Sequence, residues 1–294
     1  MHVRIFVAVV LGFCARGLAQ GATEPPPAAP VAESPKLTFD PDRARRPWVI
    51  QVEPMLWWAS PSGTLKLPAP ATGNTRGVRV ERLNLDTPQL SPAGEVHIQA
   101  DRWRFTVSGG ANFVDQTTVA DRAFQIGDVA VARGESFSAS LDVSVFEADV
   151  AYRVWSKLFA EHEARAPLPA LLNLSVVGGV RLYDIDASVE RSAGGVARSE
   201  EFFGEPVIGL RADLELYEDF TIDVQTTVGA FGGDDRSSGS LDISVGFMYW
   251  PHPNFAAQIG WRQVLYWLED GKGAAGFEYE GGVAGLFGGV VLRF

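Results

Sequence analysis

From Trp48 onward, apolar residues recur at every second position, in segments of about ten residues. In residues 103–113, for example, Arg104, Thr106 and Ser108 alternate with apolar side chains. Neighbouring side chains of a β-strand point to opposite faces, so each segment predicts a strand with one apolar and one polar face. The segments cover residues 48–58, 95–99, 103–113, 146–154, 172–182, 205–215, 220–228, 241–249, 255–267 and 280–294.

The connections between these segments alternate in length. Residues 100–102, 217–219 and 251–253 form short connections, and the long polar ones are 59–89, 114–136, 186–203 and 268–279. Short turns at one rim and long loops at the other are typical of outer-membrane barrels, whose short turns face the periplasm. We therefore predict an all-β fold, an antiparallel transmembrane up-and-down β-barrel of about ten strands. Eight or twelve remain alternatives, because residues 65–85 and 124–141 have room for further hairpins. The connection 156–168, on the side of the short turns, is longer than this layout predicts.

Aromatic residues gather near both predicted rims, where amphipathic rings favour the boundary between membrane and water. The periplasmic girdle is predicted to contain Trp48, Trp103, Trp155, Phe220, Trp250, Phe255 and Phe294. The outer girdle is predicted to contain Trp57, Trp58, Phe113, Phe231, Tyr266 and Trp267.

Residues 1–21 have the layout of a secretory signal peptide. A basic start is followed by an apolar run over Ile5–Phe13 and by small residues at Gly17 and Ala19. A transmembrane helix is the alternative, but the run is shorter than the ~20 residues that a span needs. Lipidation at Cys14 is disfavoured by the bulky residue before it. Because Cys14 is the one cysteine of the chain, cleavage would leave a mature protein without disulfides.

The next segment, residues 22–46, is rich in proline and alanine and predicts a periplasmic linker. Residues 47–294 then suit one barrel domain. The formal net charge of −11 argues against nucleic acid as a partner, because such binding depends on cationic contacts with phosphates. Outer-membrane lipid and lipopolysaccharide are the partners that an exported barrel predicts, and no oligomeric state follows from the sequence.

The predicted polar faces carry many charged side chains, and these are the candidate lumen residues. They are Glu53, Glu95, Arg104, Glu147, Asp149, Arg153, Arg181, Arg211, Asp213, Asp223, Asp242 and Arg262. Unpaired charges in a narrow tube are costly, so most of these groups should pair. Two interpretations remain open: an ion-paired polar interior that holds the barrel closed, and a charged, water-filled path that prefers cations.

Several glycine-rich pieces resemble those of small bacterial outer-membrane β-barrel proteins of the OmpA/OmpW-like and porin-like kind. These pieces are residues 178–183, 206–211, 229–233, 260–262 and 288–294. The resemblance covers the second half of the chain well and the first half only in pattern. It implies residence in the outer membrane of a Gram-negative cell. It also implies that Val290, Leu292 and the terminal Phe294 form a signal for the outer-membrane assembly machinery.

Catalytic and metal sites are the remaining alternatives. A ten-stranded barrel is similar to the outer-membrane proteases, but that family needs histidine and acids on the outer rim, whereas His97, His162 and His252 fall on the periplasmic side. His97 beside Glu95 is interpreted as a hydrogen-bonding pair. The acidic pairs 200–201, 234–235 and 269–270 lack the spacing of a calcium loop. We therefore expect no catalytic residues, no metal and no cofactor.

Two hypotheses for function follow. The first is a structural or surface-interaction barrel with an ion-paired polar lumen. The second is a porin-like channel for ions or very small solutes.

Overall fold

The computed structural model describes residues 48–159, 170–216 and 219–294. The predicted signal peptide, the predicted linker and His162 lie outside the described residues. In the part of the chain that is described, no helix is long and apolar enough to cross a membrane. The strands are β1 (Val49–Lys66), β2 (Val78–Arg79), β3 (Gln89–Ala100), β4 (Trp103–Val119), β5 (Phe124–Ile126), β6 (Val129–Val131), β7 (Ser136–Phe159), β8 (Ala170–Arg191), β9 (Val196–Leu216), β10 (Phe220–Gly232), β11 (Arg236–His252), β12 (Phe255–Asp270) and β13 (Phe277–Arg293).

Ten of these strands form one closed antiparallel ring, which confirms the predicted fold class and strand number. The ring follows the order β1, β3, β4, β7, β8, β9, β10, β11, β12 and β13, and β13 pairs again with β1. At the point of closure, the Phe294 N–H donates to the carbonyl of Ile50 at 2.9 Å, and the Ile50 N–H donates back at 3.3 Å. Closure pairs the backbone groups that would otherwise form two open sheet edges, as a lipid environment requires.

The connections divide the barrel into a turn end and a loop end. The turn end carries the β3–β4, β9–β10 and β11–β12 connections, and the loop end carries β1–β3, β4–β7 and β8–β9. For two of the long polar loops at the loop end, the prediction is wrong. Residues 186–203 are almost entirely strand, with a connection of only 192–195, and residues 268–279 reduce to a connection over 271–276.

These polar stretches are strands because apolar and polar residues continue to alternate. What changes is the facing: the outward residues become polar and the inward residues become apolar. In β8, Leu174 and Val180 face outward and Ser175 and Arg181 face inward, whereas beyond Tyr183 the outward residues are polar and the inward ones apolar. The same exchange occurs near residue 145 in β7. We call the part of the barrel on the turn-end side of this exchange the membrane half and the other part the loop half. A tilted strand needs ~9–11 residues to cross a bilayer, so the 24-residue β7 and its neighbours extend beyond it.

The membrane half has an apolar outer surface, as a wall in contact with lipid requires. Large apolar side chains are exposed all around it, among them Phe105, Val107, Val180, Ile208, Leu210, Val224, Phe247, Ile259 and Leu286. Most of the predicted girdle residues are also exposed: Trp48, Trp58, Trp103, Phe113, Trp155, Phe220, Phe231, Phe255, Trp267 and Phe294.

Three predicted girdle assignments are wrong, because the side chains are buried. Trp57, Trp250 and Tyr266 are 6%, 4% and 1% exposed. The reason is strand parity: Trp57 follows the inward series of β1, and its neighbours Leu56 and Trp58 take the outward positions.

The interior of the loop half is a dry apolar core, which we call the apolar plug. It contains Leu65, Leu67, Val80, Leu83, Leu85, Ile126, Val129, Val131, Phe137, Leu141, Tyr183, Ile185, Phe203, Leu268, Phe277 and Tyr279. Two connections supply part of it. The β1–β3 connection contributes β2 and a short 3-10 turn over Val80–Leu83, and the β4–β7 connection contributes the β5–β6 hairpin, which lies in one of the regions where further hairpins were an alternative.

Polar contacts fasten the two connections to each other. The Asp128 carboxylate accepts hydrogen bonds from the backbone N–H groups of Ala71 and Thr72 and from the Thr72 hydroxyl. Desolvation acts to raise the pKa of Asp128, but these hydrogen bonds outweigh it and hold the pKa below its ordinary value. The plug is therefore a folded unit formed by the strands together with their connections.

Candidate functional site

The polar interior of the membrane half is the candidate site. All twelve candidate lumen residues lie at inward positions of their strands, as alternation from the buried neighbours requires. In strand order these are Glu53, Glu95, Arg104, Glu147, Asp149, Arg153, Arg181, Arg211, Asp213, Asp223, Asp242 and Arg262.

Arg181 is the centre of a first network, just below the apolar plug. Its side chain is fully buried and its Nε donates to the Glu147 carboxylate at 2.6 Å. Nη1 donates to the Ser240 hydroxyl at 2.8 Å, while Nη2 contacts Thr227 and lies 3.3 Å from an oxygen of Asp242. Residues of several surrounding strands thus supply the hydrogen-bond acceptors that the buried Arg181 guanidinium needs.

The same network extends to the floor of the plug. Arg262 contacts Asp242 at 2.6 Å from the opposite side. The hydroxyl of Tyr183 donates to Glu205 at 2.6 Å, and Glu205 also accepts from Ser240. With the contacts of Arg181, charged and neutral donors thus join six consecutive strands, β7 to β12, which cross-links the barrel wall through its interior.

Arg211 is the centre of a second network, nearer the turn end. Its guanidinium lies 2.7 Å from Asp223 and 3.2 Å from Asp213, and Nη1 donates to Gln225 at 3.1 Å. Arg104 reaches Asp213 from the far side of the interior at 3.5 Å. Arg153, in contrast, points to the turn-end rim, where it donates to the backbone carbonyl of Asp101.

His97 lies beside two carboxylates on the neighbouring part of the wall. Its Nδ1 is 3.3 Å from a Glu95 oxygen and 3.6 Å from a Glu53 oxygen, and Gln51 donates to Glu53 at 2.7 Å. Among the described residues, this is the one group of at least three histidine, cysteine or acidic side chains whose ligand atoms lie within 4.8 Å of one another. Sequence reasoning paired His97 with Glu95 and missed Glu53, because strand register brings Glu53 into the group.

Carboxylates outnumber guanidinium groups in this interior. The acids are Glu53, Glu95, Glu147, Asp149, Glu205, Asp213, Asp223 and Asp242, and the arginines are Arg104, Arg181, Arg211 and Arg262. Two cavities of about 820 and 770 Å³, open solvent included, lie in the membrane half, and Arg211 and Met248 contribute to the walls of both. The first lies toward the turn end, and the second, which we call the central cavity, is the one lined by most of these acids.

In each acidic pair at the loop end that was weighed as a calcium ligand, at least one member pairs with a cation of the protein. Asp235 pairs with Lys272 at 2.6 Å, and Asp270 pairs with Arg236. Arg236 also lies 3.2 Å from Glu201. These contacts fasten the rim of the loop half and leave the interior as the site of interest.

Comparisons with known proteins support the fold of the chain and do not indicate its role. No protein-family model matches the chain. No curated protein matches it either. Among solved structures, it is similar to the outer membrane protease OmpT of Escherichia coli, with 9% identity, a TM-score of 0.40, and coverage of 84% of this chain and 97% of that one.

Two other solved structures are similar at the same low level. Neisserial surface protein A has 14% identity and a TM-score of 0.31, covering 85% of this chain and 98% of that one. The attachment invasion locus protein Ail of Yersinia pestis, solved with a heparin analogue, has 11% identity and a TM-score of 0.31, covering 83% and 99%. Scores this low carry no argument about activity. A closed antiparallel ring with an apolar outer wall and a polar interior is the arrangement of bacterial outer-membrane barrels, and this chain has that fold.

Proposed function

We propose that the protein is a closed barrel with a structural or surface-interaction role, and that it presents its loop end outside the cell. The apolar plug is the observation that carries this proposal. Leu65, Leu83, Leu85 and Tyr183 are fully buried inside the loop half, where a conduit would need polar walls and water. A path that starts in the cavities of the membrane half would have to cross this dry region.

A porin-like conduit is the second candidate, and the two polar cavities favour it. Ions could occupy the acid-rich central cavity, but conduction would require the plug to move aside. The two candidates therefore differ in one measurable property, the conductance of the folded barrel.

Single-channel recording in planar bilayers tests the proposal. We expect wild-type barrels to give no stepwise conductance. The double variant Leu83→Asp/Leu85→Asp places two carboxylates in the plug, which should hydrate it and produce conductance, because unpaired charges are not stable in a dry apolar core. Glu81→Ala, in the same short turn but exposed, is the matched control and should stay silent. Regular conductance steps from the wild type would favour the conduit.

The partners that we propose are those of a surface barrel. Lipid chains contact the apolar wall of the membrane half. Lipopolysaccharide would contact the outward polar face of the loop half. We propose neither catalysis nor a cofactor: the described histidines are His97 in the interior and His252 at the turn-end terminus of β11.

We also propose that Phe294 acts with Val290 and Leu292 as the signal for assembly. Phe294 is 64% exposed and completes the β13–β1 seam. Deleting Phe294 is expected to leave unfolded precursor in the periplasm and to lower the amount of outer-membrane barrel at least several-fold. Cell fractionation with unboiled gel electrophoresis measures both pools.

Phe255→Ala provides the control for this deletion. Phe255 is an exposed aromatic residue at the same end, and it pairs with Leu292 in the neighbouring strand. Its loss removes a similar lipid-facing ring and leaves the terminus intact, so outer-membrane levels should stay near normal. Equal levels for both variants would contradict a special role for the terminal residue.

A further inference from the structure

The cluster of Glu53, Glu95 and His97 has the geometry of metal ligands. In a tetrahedral site with bonds of ~2.1 Å, neighbouring ligand atoms lie about 3.4 Å apart. His97 Nδ1 lies 3.3 Å from the Glu95 oxygen and 3.6 Å from the Glu53 oxygen. Both distances are long for hydrogen bonds, which centre near ~2.9 Å. The His97 nitrogen therefore lies at the spacing of coordination from both carboxylates rather than at good hydrogen-bond distance, and all three ligand atoms lie within 4.8 Å of one another.

Strand register places the two carboxylates where they repel each other. Glu53 of β1 and Glu95 of β3 are direct cross-strand partners, and both occupy inward positions. Like charges directly opposite on one face of an antiparallel pair destabilise it. A cation between them would turn this repulsion into attraction.

Two further polar side chains lie near the cluster. Thr106 lies directly opposite His97 in the register, and Asp149 lies directly opposite Thr106 on the next strand of the ring. Both face inward and are more than nine-tenths buried. The Thr106 hydroxyl has no hydrogen-bond partner among the described residues, and the Asp149 carboxylate lines the central cavity. Thr106 and Asp149 thus add one hydroxyl and one carboxylate to the three groups of the cluster.

The nearest cation of the protein is already engaged elsewhere. Arg211 lies 3.7 Å from Glu95, but its shorter contacts are to Asp223 at 2.7 Å and Asp213 at 3.2 Å. Arg104 contacts Asp213 as well, at 3.5 Å. The contacts of both arginines are therefore mainly with Asp213 and Asp223, and the 3.7 Å approach of Arg211 to Glu95 is the one ion pair among the described residues that joins an arginine to any of the three acids Glu53, Glu95 and Asp149. The central cavity, lined by these same three acids, gives a cation room to approach.

We propose that Glu53, Glu95 and His97 bind one divalent transition-metal cation of the Zn²⁺ type inside the barrel, with Asp149 as a further carboxylate close to it. One imidazole nitrogen and two carboxylates suit such an ion better than Ca²⁺ or Mg²⁺, which take oxygen ligands. The bound cation would link β1 to β3 near the turn end, on the wall opposite the Arg181 network. This inference is independent of whether the barrel conducts.

Zn²⁺ binding to the full folded barrel tests the proposal. The refolded protein is equilibrated with micromolar Zn²⁺, separated from free metal, and analysed for bound zinc by mass spectrometry. We expect about one Zn²⁺ per wild-type barrel. His97→Gln and Glu53→Gln should each weaken binding at least about tenfold, since even groups that only orient a ligand cost that much when lost. Zn²⁺ should also raise the urea midpoint of the wild type and not that of His97→Gln.

His252→Gln is the matched control, because His252 is the other described histidine and is exposed at the turn-end terminus of β11. Its zinc content should equal that of the wild type. Heat-dependent gel mobility shows whether each variant is folded. If His97→Gln does not fold, the zinc content of Glu53→Gln tests the proposal in its place. If the wild type binds no stoichiometric zinc, the proposal is overturned whatever the variants do. It is also overturned if His252→Gln loses the zinc while His97→Gln keeps it.

Discussion

Replacing Arg181 with methionine is expected to lower the free energy of unfolding by about 3–5 kcal/mol, the cost of removing one member of a buried ion pair. The change leaves Glu147 and Asp242 without their guanidinium partner in a site where the arginine side chain is fully buried. It also leaves the Ser240 hydroxyl without one of its contacts. Urea titration of the barrel in lipid vesicles, followed by tryptophan fluorescence, measures the loss.

Arg198→Met gives the matched comparison, because Arg198 also bridges carboxylates but on the exposed face of the loop half. It contacts Asp186 at 2.6 Å with half of its side chain exposed, and exposed pairs contribute under about 1 kcal/mol. Adding Glu147→Gln to Arg181→Met should recover part of the loss by removing a stranded charge. Equal, small losses for Arg181→Met and Arg198→Met would show that the interior network does not hold the barrel together.

Val224→Arg is expected to destabilise the barrel by about 2–4 kcal/mol, the usual cost of an arginine that faces lipid near the bilayer midplane. Val224 points outward from β10, between two other outward residues of the membrane half, Ile222 and Val228. The charged group would have to leave the hydrocarbon or draw water into it. Denaturant midpoints of the folded barrel in vesicles report the difference.

The neighbouring residue supplies the control. Gln225 faces inward, where its oxygen accepts from Arg211 at 3.1 Å. Gln225→Glu keeps that acceptor and strengthens it by charge, so the change should cost far less than Val224→Arg. If the inward change proved the more damaging one, the two faces of β10 would be assigned wrongly.

Strand number and facing followed from the sequence because both depend on local alternation. Period two identifies a strand without knowledge of its neighbours, and parity then assigns Arg181 and Asp242 to the same interior. Alternation alone did not predict that the outward face of β8 changes from apolar to polar along the strand. The polar residues of 186–203, such as Asp186, suggested a loop, since a polar residue at an outward position has the same appearance in a loop and in a strand that has left the membrane.

The contacts of the site required register, which one sequence does not contain. Glu53 and Glu95 are direct partners only because β1 and β3 align as they do. Likewise, the burial of Trp57 follows from its parity, but its aromatic character suggested a girdle. The apolar plug was missed for a third reason: Leu83 and Ile126 lie in connections, where isolated apolar residues give no periodic signal.

The length of strand beyond the exchange of faces determines how far the molecule stands above the bilayer. In β7 the loop half spans residues 136–144, roughly nine residues, or about 30 Å along the strand. With a tilt of ~40°, this gives a height of about 23 Å, whereas the headgroup layer adds only ~5–8 Å to each side of the hydrocarbon. The rim around residues 192–195 is therefore carried well above the headgroups on a rigid extension of the barrel wall.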